Sequence, residues 1–170
     1  MANSEENKPD PDTEPIHVAT RIERREQIYA LFDSAERQIS VLSTILDGFT
    51  FNSSRIEQSL SQFVTRHRDN RVNFLVEHDR QVIQYNERLI RAARRFSSYI
   101  NFRHLKAERD NATVSFIVID DKHYLFQRDY SNPECVVAMN MRKEARHYQK
   151  QFDEIWCTSP PMPGLHTLGL

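Results

Sequence analysis

Four arginines at helical spacing are the strongest candidate for ligand binding in this sequence. They are Arg80, Arg88, Arg91 and Arg95, with Arg94 and Arg103 nearby. A row of guanidinium groups on one helix face can contact the phosphates of a polyanion or a nucleic acid. The neighbouring Phe96, Tyr99 and Phe102 could stack on bases. The structural alternative is a solvated arginine face, with the three aromatic residues closing the core.

The other reactive side chains do not form a metal, redox or nucleotide motif. The short paired spacings of zinc sites are missing from the histidines, which include His67, His78, His104, His123 and His147. Cys135 and Cys157 lie far apart without a CxxC motif, so we expect free thiols. With only three glycines, the chain has no glycine-rich phosphate loop. We therefore expect neither a metal nor a cofactor.

Length and charge indicate one domain with polar ends. A chain of 170 residues can bury a real core, and a formal net charge of −1 gives no global attraction to nucleic acid or membranes. We predict a disordered leader at 1–18 and a loose, Pro-rich tail at 159–170. The start does not have the pattern of a secretory signal, and no apolar stretch reaches the roughly 18 to 20 residues that span a bilayer. We expect a soluble, cytoplasmic protein.

Between these ends, residues 19–158 alternate between helix and strand patterns. The first helix is predicted from Thr20 to about Gln38, with Thr20 as its N-cap and Glu23 at the capping-box position. The elements that follow are a strand at 39–46, a helix capped by Ser53 or Ser54, a strand at 72–77, a helix at 82–96 and a strand at 100–105.

The pattern changes after Ala112. Residues 113–119 are apolar on both faces, which is typical of a strand covered by helices on each side. A turn at Asp120 then leads to the last elements, which are strands at 123–128 and 135–140 and a helix at 142–156. Alternating strands and helices, followed by a run of strands and a closing helix, predict an α/β fold with a mixed sheet sandwiched by helices.

This order of elements resembles one half of the phospholipase D superfamily fold. The resemblance covers roughly residues 37–156 and is carried by the strand ending in Asp120, by Asn132-Pro133-Glu134, and by Phe152-Asp153-Glu154-Ile155-Trp156. The chain is also similar to small bacterial domains of unknown function with this sheet. The resemblance implies a single phospholipase D-like half-domain.

The catalytic motif of that superfamily is degenerate here. Active members carry His-x-Lys-x4-Asp, in which the histidine attacks phosphorus or protonates the leaving group, the lysine binds phosphoryl oxygens and the aspartate supports the site. Counting back from Asp120 puts Thr113 at the histidine position and Ser115 at the lysine position. Neutral hydroxyls supply neither the nucleophile nor the cation. Asp120 also fits a structural role before a turn.

A second His-x-Lys pair lies upstream at His104 and Lys106. The seventh residue after His104 is Asn111, and Asp110 comes one position early. The pair leads into a polar loop rather than a buried strand, so these side chains would not be held as the motif requires. A divergent phosphodiesterase that uses His104 and Lys106 remains an alternative.

We therefore predict a non-catalytic, phospholipase D-like binding or interaction domain, in effect a pseudoenzyme. The alternatives are nucleic-acid binding through the arginine helix and the divergent phosphodiesterase. Enzymes of the resembled superfamily place two copies of this unit face to face about a two-fold axis, so we also predict a homodimer. The competing expectation is a monomer whose sheet end is covered by the first helix or by the tail.

Overall fold

Seven strands form one mixed sheet in the computed structural model, which describes residues 14–165. In chain order the elements are β1 (Ile16–Val18), α1 (Arg21–Ser34), β2 (Gln38–Ser43), α2 (Gly48–Phe51), α3 (Ser54–Arg66), β3 (Arg71–Val76), α4 (Asp79–Tyr85), α5 (Glu87–Arg95), β4 (Ile100–His104), β5 (Ser115–Ile119), β6 (His123–Gln127), β7 (Cys135–Ala138) and α6 (Arg142–Thr158). The strand order is β1-β7-β6-β5-β2-β3-β4. The predicted α/β fold is confirmed.

The direction of the strands decides which residues meet at one end of the sheet. Strands β2, β3 and β4 are parallel, and β5 pairs antiparallel with β2. Strands β6, β7 and β1 continue the antiparallel half. The carboxyl ends of β2, β3, β4 and β6 therefore lie beside the amino ends of β5 and β7. We call this end the motif end, and its strand-terminal residues are Ser43, Val76, His104, Ser115, Gln127 and Cys135.

Helices cover both faces of the sheet. Helices α1, α3 and α5 pack side by side on one face, where Val41 and Phe74 are buried. Helix α6 packs on the other face and buries Phe116 and Phe152. All five residues of β5 are buried, as predicted for a strand covered on both sides.

Local capping chemistry fixes the starts of two helices as predicted. Thr20 accepts a hydrogen bond from the backbone N–H of Glu23, and the Glu23 carboxylate accepts one from the backbone N–H of Thr20. Ser53 caps α3 by accepting from the backbone N–H of Ile56. Helix α1 ends at Ser34, earlier than predicted, because the backbone of Ala35 is extended before β2.

The single helix predicted over 82–96 is two helices that meet at Asn86. The side chain of Asn86 is buried and donates to the carbonyl oxygen of Leu46 at 3.1 Å. This contact holds Asn86 in a non-helical conformation, with φ −126° and ψ 50°. The connection after Asp47 also contains one helical turn, α2, which the sequence pattern did not predict.

Part of the predicted leader belongs to the sheet. Residues 16–18 form β1, which pairs antiparallel with β7 and buries Val18. The structure therefore differs from the prediction of disorder at these positions, because β7 offers a free edge with which a short extended segment can pair. Residues 1–13 of the predicted leader lie outside the described residues.

The beginning of the Pro-rich tail is ordered rather than loose. The backbone N–H of His104 donates to Pro160 and that of Met162 donates to Phe102, so the tail runs along the outer edge of β4. Met162 and Leu165 are buried in the core. Apolar residues between the prolines explain this docking, and residues 166–170 lie outside the described part of the chain.

Candidate ligand-binding site

Ser115, at the lysine position of the motif, is tied to the neighbouring strand. Its Oγ lies 2.9 Å from Oγ of Ser43, and both side chains are buried. Because the hydroxyl of Ser43 donates to the carbonyl oxygen of Ile45 at 2.6 Å, the proton between the two serines belongs to Ser115. The Ser115 hydroxyl therefore donates its hydrogen bond to the Ser43 hydroxyl, and a neutral hydroxyl cannot act as a base for Ser115.

Thr113, at the histidine position, precedes β5 and is exposed. Its hydroxyl donates to the carbonyl oxygen of Arg128 at 3.0 Å, which joins the residues before β5 to the residues after β6. Thr113 and Ser115 thus both lie at the motif end. Neither position supplies a group that titrates near neutral pH.

Asp120 lies at the opposite end of the sheet. Its carboxylate accepts hydrogen bonds from the backbone N–H groups of Glu36, Arg37 and Gln38, each at 2.8 Å. It stands five residues after Ser115 along an extended strand, which is about 17 Å. Asp120 therefore anchors the start of β2 and does not share a site with Thr113.

His104 is paired with an acidic residue that the sequence did not single out. Its Nδ1 lies 3.0 Å from Oδ2 of Asp79, the first residue of α4. Strand β4 is three strands from β5, a separation of about 14 Å at the usual strand spacing. Lys106 is exposed in the loop that follows. The structure therefore separates His104 and Lys106 from the motif positions.

Arg109 lies in the loop between β4 and β5 and connects this loop by hydrogen bonds to other residues at the motif end. One guanidinium nitrogen, Nη1, donates to the carboxylate of Glu77 at 2.7 Å, and Nη2 donates to Thr44 Oγ1 and to the carbonyl oxygen of Ala112 at 3.0 and 2.9 Å. Glu77 follows β3 and Thr44 follows β2, so Arg109 bridges two strand ends. No spacing in the sequence pointed to this residue.

An open groove of about 750 Å³ lies beside Thr113, between α6 and the sheet. The Tyr148 ring lies 5.4 Å from the ring of Phe116 and 5.3 Å from that of Phe126, and the three rings form an aromatic floor. Thr113, Arg128 and Gln151 lie at the rim. Burial and the negative charge of Glu144 raise the pKa of Tyr148, so its hydroxyl stays protonated at neutral pH.

A smaller cavity of about 50 Å³ lies beside Ser115 on the other face of the sheet. Its polar lining consists of Arg24, Ser43, Asp47, Ser115, Gln127 and Tyr130. Only 9% of the Arg24 side chain is exposed, and its Nη2 donates to Asp47 at 3.0 Å. The Arg24 Nε is buried and has no hydrogen-bond partner among residues 14–165.

Asp47 holds Arg24 in position. Burial raises the pKa of the Asp47 carboxyl, but hydrogen bonds from Arg21 and from the backbone N–H of Phe49, with the charges of Arg21 and Arg24, bring that pKa below its usual value. Arg21 Nη2 lies 2.6 Å from the carboxylate. Asp47 is therefore ionised at neutral pH, and two arginines compensate its charge.

The arginine row is spread over two helices. Arg80 is on α4, whereas Arg88, Arg91 and Arg95 form one exposed face of α5. Arg88 and Arg91 both bond to Glu57 of α3, at 3.2 and 3.0 Å. Two guanidinium groups thus share one carboxylate.

The aromatic residues near this row contact other side chains of the protein. Phe102 is buried and stacks on Phe74 with ring centroids 4.5 Å apart. The Arg71 guanidinium lies over the Tyr99 ring and that of Arg95 lies over Phe96, at 5.3 and 5.0 Å. Phe102 is therefore not available to stack on a base.

The two cysteines are free thiols, as expected. Cys135 is buried, which raises the pKa of its thiol to about 11, and Cys157 is exposed on α6. Within residues 14–165, no three side chains of His, Cys, Asp or Glu are grouped as a metal site would require. The same part of the chain contains no helix long and apolar enough to cross a membrane.

The family model for Domain of unknown function (DUF7931) matches residues 20–168. The chain belongs to the DUF7931 family. The match includes β2 to β7 and helices α1 to α6, together with the open groove and the small cavity described above. No curated protein matches it.

Solved structures similar to the DUF7931 domain include phospholipase D relatives. Nuc from Salmonella typhimurium, a phospholipase D family member, is 16% identical with a TM-score of 0.61, over 87% of this chain and 98% of its own. NucT from Helicobacter pylori is 11% identical with a TM-score of 0.59, over 88% of this chain and 99% of its own. These matches confirm the phospholipase D-like fold.

A structure from another functional class is similar as well. TrmBL2, an archaeal chromatin protein reported to show a novel mode of DNA binding, is 14% identical with a TM-score of 0.62. The match covers 91% of the DUF7931 domain, which spans only 56% of the TrmBL2 chain. At this identity the likeness shows a shared fold.

Proposed function

We propose that this DUF7931 domain is a non-catalytic binding module on the phospholipase D fold. The observation that supports this proposal is the state of the two motif positions. The hydroxyl of Ser115 donates to Ser43, and that of Thr113 donates to the carbonyl oxygen of Arg128. A hydroxyl nucleophile needs an adjacent base, and both hydroxyls are held by groups that cannot accept a proton at neutral pH.

The open groove beside Thr113 supports a binding role. Its volume of about 750 Å³ is in the range of small-molecule sites, which combine apolar walls with a few polar groups. The floor of Phe116, Phe126 and Tyr148 supplies the apolar contact area. Thr113 and Arg128 supply polar groups at the rim.

A nuclease assay tests the absence of catalysis on a natural phosphodiester. Purified protein is incubated with single-stranded and double-stranded DNA, with Mg²⁺ and with a chelator. We expect no cleavage above the level of a mock purification. Cleavage that copurifies with the domain and disappears in Thr113→Ala or His104→Ala would overturn the proposal.

Nucleic-acid binding through α5 is the second candidate function. It is supported by the excess of Arg88, Arg91 and Arg95 over the single carboxylate of Glu57. TrmBL2, 56% of whose chain matches this domain, is reported to bind DNA. Exposed guanidinium groups suit phosphate contacts, which position a nucleic acid without reading its sequence.

The divergent phosphodiesterase is supported by one contact. Asp79 holds Nδ1 of His104 and leaves Nε2 on the other side of a ring that is 36% exposed. An oriented imidazole of this kind can transfer protons. Its distance from the motif positions makes this the weakest of the three candidates.

We further propose that two copies pair across the motif end. Three large apolar side chains are exposed there: Ile22 at the start of α1, Phe49 on α2 and Tyr85 at the end of α4. Arg21 and Arg25 flank the Phe49 ring. Large apolar side chains exposed at one end of a fold can form an interaction surface.

A further inference from the structure

We propose that the small cavity beside Ser115 binds a terminal phosphate group, with Arg24 as its principal cation. This inference rests on the proposed binding function and names a ligand for one part of the motif end. The ligand class is a small phosphomonoester or inorganic phosphate. The site differs from the arginine face of α5 because its cation is buried inside the fold.

The first reason to place a phosphate here is that the Nε–H of Arg24 has no hydrogen-bond partner among residues 14–165. A guanidinium carries five N–H groups, and Asp47 takes the hydrogen bond of Nη2. The Nε–H is buried without a partner among residues 14–165. A buried donor left unpaired is unfavourable, and a phosphate oxygen satisfies it with a charge-assisted hydrogen bond.

The second reason is the neutral polar lining around Arg24. The hydroxyls of Ser43, Ser115 and Tyr130 and the amide of Gln127 line the same cavity. The Ser43 hydroxyl already donates to Ile45, that of Ser115 to Ser43 and the Gln127 amide to Asn132, so the Tyr130 hydroxyl is the neutral group that donates to a phosphate oxygen without losing such a bond. Its volume of about 50 Å³ is several times the 10–15 Å³ or so that one water needs. This space suits one tetrahedral group of five heavy atoms.

The local charge also favours an anion. Asp47 is the acidic residue in the lining, and its oxygens already accept from Arg21, Arg24, the backbone N–H of Phe49 and the hydroxyl of Thr50. Two guanidinium groups against one carboxylate leave one positive charge. Asp47 thus holds Arg24 in place and does not cancel its charge.

The shape of the site selects a terminal phosphate over a diester. Val41 and Ile117 from the sheet and Phe51 from α2 line the inner cavity. An adjoining outer pocket of about 330 Å³ shares Arg24, Ile45, Asp47 and Tyr130 with it and adds Arg21, Ser131 and Pro133. The phosphate would occupy the inner cavity and its organic group the outer pocket. A diester has substituents on two sides and does not fit this arrangement.

Calorimetric titration of the full chain tests the site. The probes are inorganic phosphate, glycerol 3-phosphate and the diester dimethyl phosphate, at matched ionic strength in chloride. We expect the first two to bind and the diester to bind at least about tenfold more weakly. Tighter binding of glycerol 3-phosphate than of phosphate assigns the outer pocket to the organic group, and equal binding assigns the site to free phosphate.

Two Arg24 variants and a matched control locate the binding. Arg24→Gln should abolish binding, whereas Arg55→Gln, which changes an exposed arginine paired with Asp33, should leave it unchanged. Because Arg24→Gln leaves Asp47 with one arginine fewer and can unfold the domain, Arg24→Lys is the second variant. It keeps the charge but loses the Nε–H, and we expect at least about tenfold weaker binding.

Four outcomes would each overturn one of the two proposals. Absence of phosphate binding by the folded wild type, or equal affinities of wild type and Arg24→Lys, overturns this inference and leaves the non-catalytic binding module intact. Loss of binding in Arg55→Gln also overturns it, since the cation would lie elsewhere. Hydrolysis of glycerol 3-phosphate by the domain would instead overturn the proposed function.

Discussion

The hydroxyl oxygens of Ser43 and Ser115 lie 2.9 Å apart, one on β2 and the other on β5, at the place where the resembled catalytic motif carries its lysine. Both side chains are buried against the cavity that contains Arg24. Arg24 of α1 therefore lines the same cavity as Ser115, the residue that the predicted motif alignment puts at the lysine position.

Replacement of Ser115 by lysine should strongly destabilise the domain. The new ammonium would be buried beside the Arg24 guanidinium, and Asp47 is already occupied by two arginines. We expect the free energy of unfolding to fall by about 2–4 kcal/mol. Urea denaturation measures this change, and the exposed substitution Thr113→His is the control, with an expected effect within about 0.5 kcal/mol. Equal stabilities of the two variants would contradict the described surroundings of Ser115.

Acidification should destabilise the fold through His123. Burial and the charges of Lys122 and Arg142 lower the pKa of His123, although Asp120 and Glu36 oppose the shift. Its Nδ1 accepts a hydrogen bond from the backbone N–H of Asn140 at 2.9 Å, which requires an unprotonated nitrogen.

Proton uptake by the unfolded chain decides whether the free energy of unfolding rises or falls with pH. Because the pKa of His123 is lower in the folded chain, the unfolded chain binds more protons at this residue as the pH falls through about 6.5. The free energy of unfolding should therefore decrease as the pH falls from 7.5 to 5.5, by at most about 1.4 kcal/mol per pH unit for this residue. Urea midpoints at the two pH values should differ less in His123→Gln. Equal differences in wild type and variant would refute a role for His123.

Several of these contacts could not be inferred from the sequence. The order of elements, the caps at Thr20 and Ser53 and the doubly covered β5 follow from local periodicity and cap chemistry. Arg24 and Asp47 are 23 residues apart, and they meet because α1 packs beside α2, whose N-cap is Asp47. The break at Asn86 likewise depends on a carbonyl 40 residues away. Such contacts are set by the packing of the sheet and its helices.

Salt dependence tests nucleic-acid binding by α5. If Arg88, Arg91 and Arg95 contact phosphates, their joint replacement by glutamine should weaken oligonucleotide binding and flatten the slope of log K against log salt by up to about three. Arg55→Gln is the matched control. Fluorescence anisotropy at several salt concentrations gives both slopes. A wild-type domain that does not bind, or a triple variant with an unchanged slope, excludes this candidate function.

Light scattering tests the proposed pairing across the motif end. The chain has a mass of 20.1 kDa, so the mass should rise toward twice this value as concentration increases. Ile22→Asp places a charge on a side chain that is 60% exposed, and we expect it to remain monomeric without loss of thermal stability. A wild-type mass near that of one chain at every concentration would rule out the dimer.

Hydrolysis of bis-p-nitrophenyl phosphate is the most direct test of the central claim that the domain binds without catalysis. Release of p-nitrophenol is followed with wild type, Thr113→Ala and His104→Ala, with and without divalent metal. Because the hydroxyls of Thr113 and Ser115 supply neither an activated nucleophile nor a cation, all three proteins should give the rate of the buffer control. Turnover by wild type well above that control, reduced in Thr113→Ala or in His104→Ala, would contradict the claim.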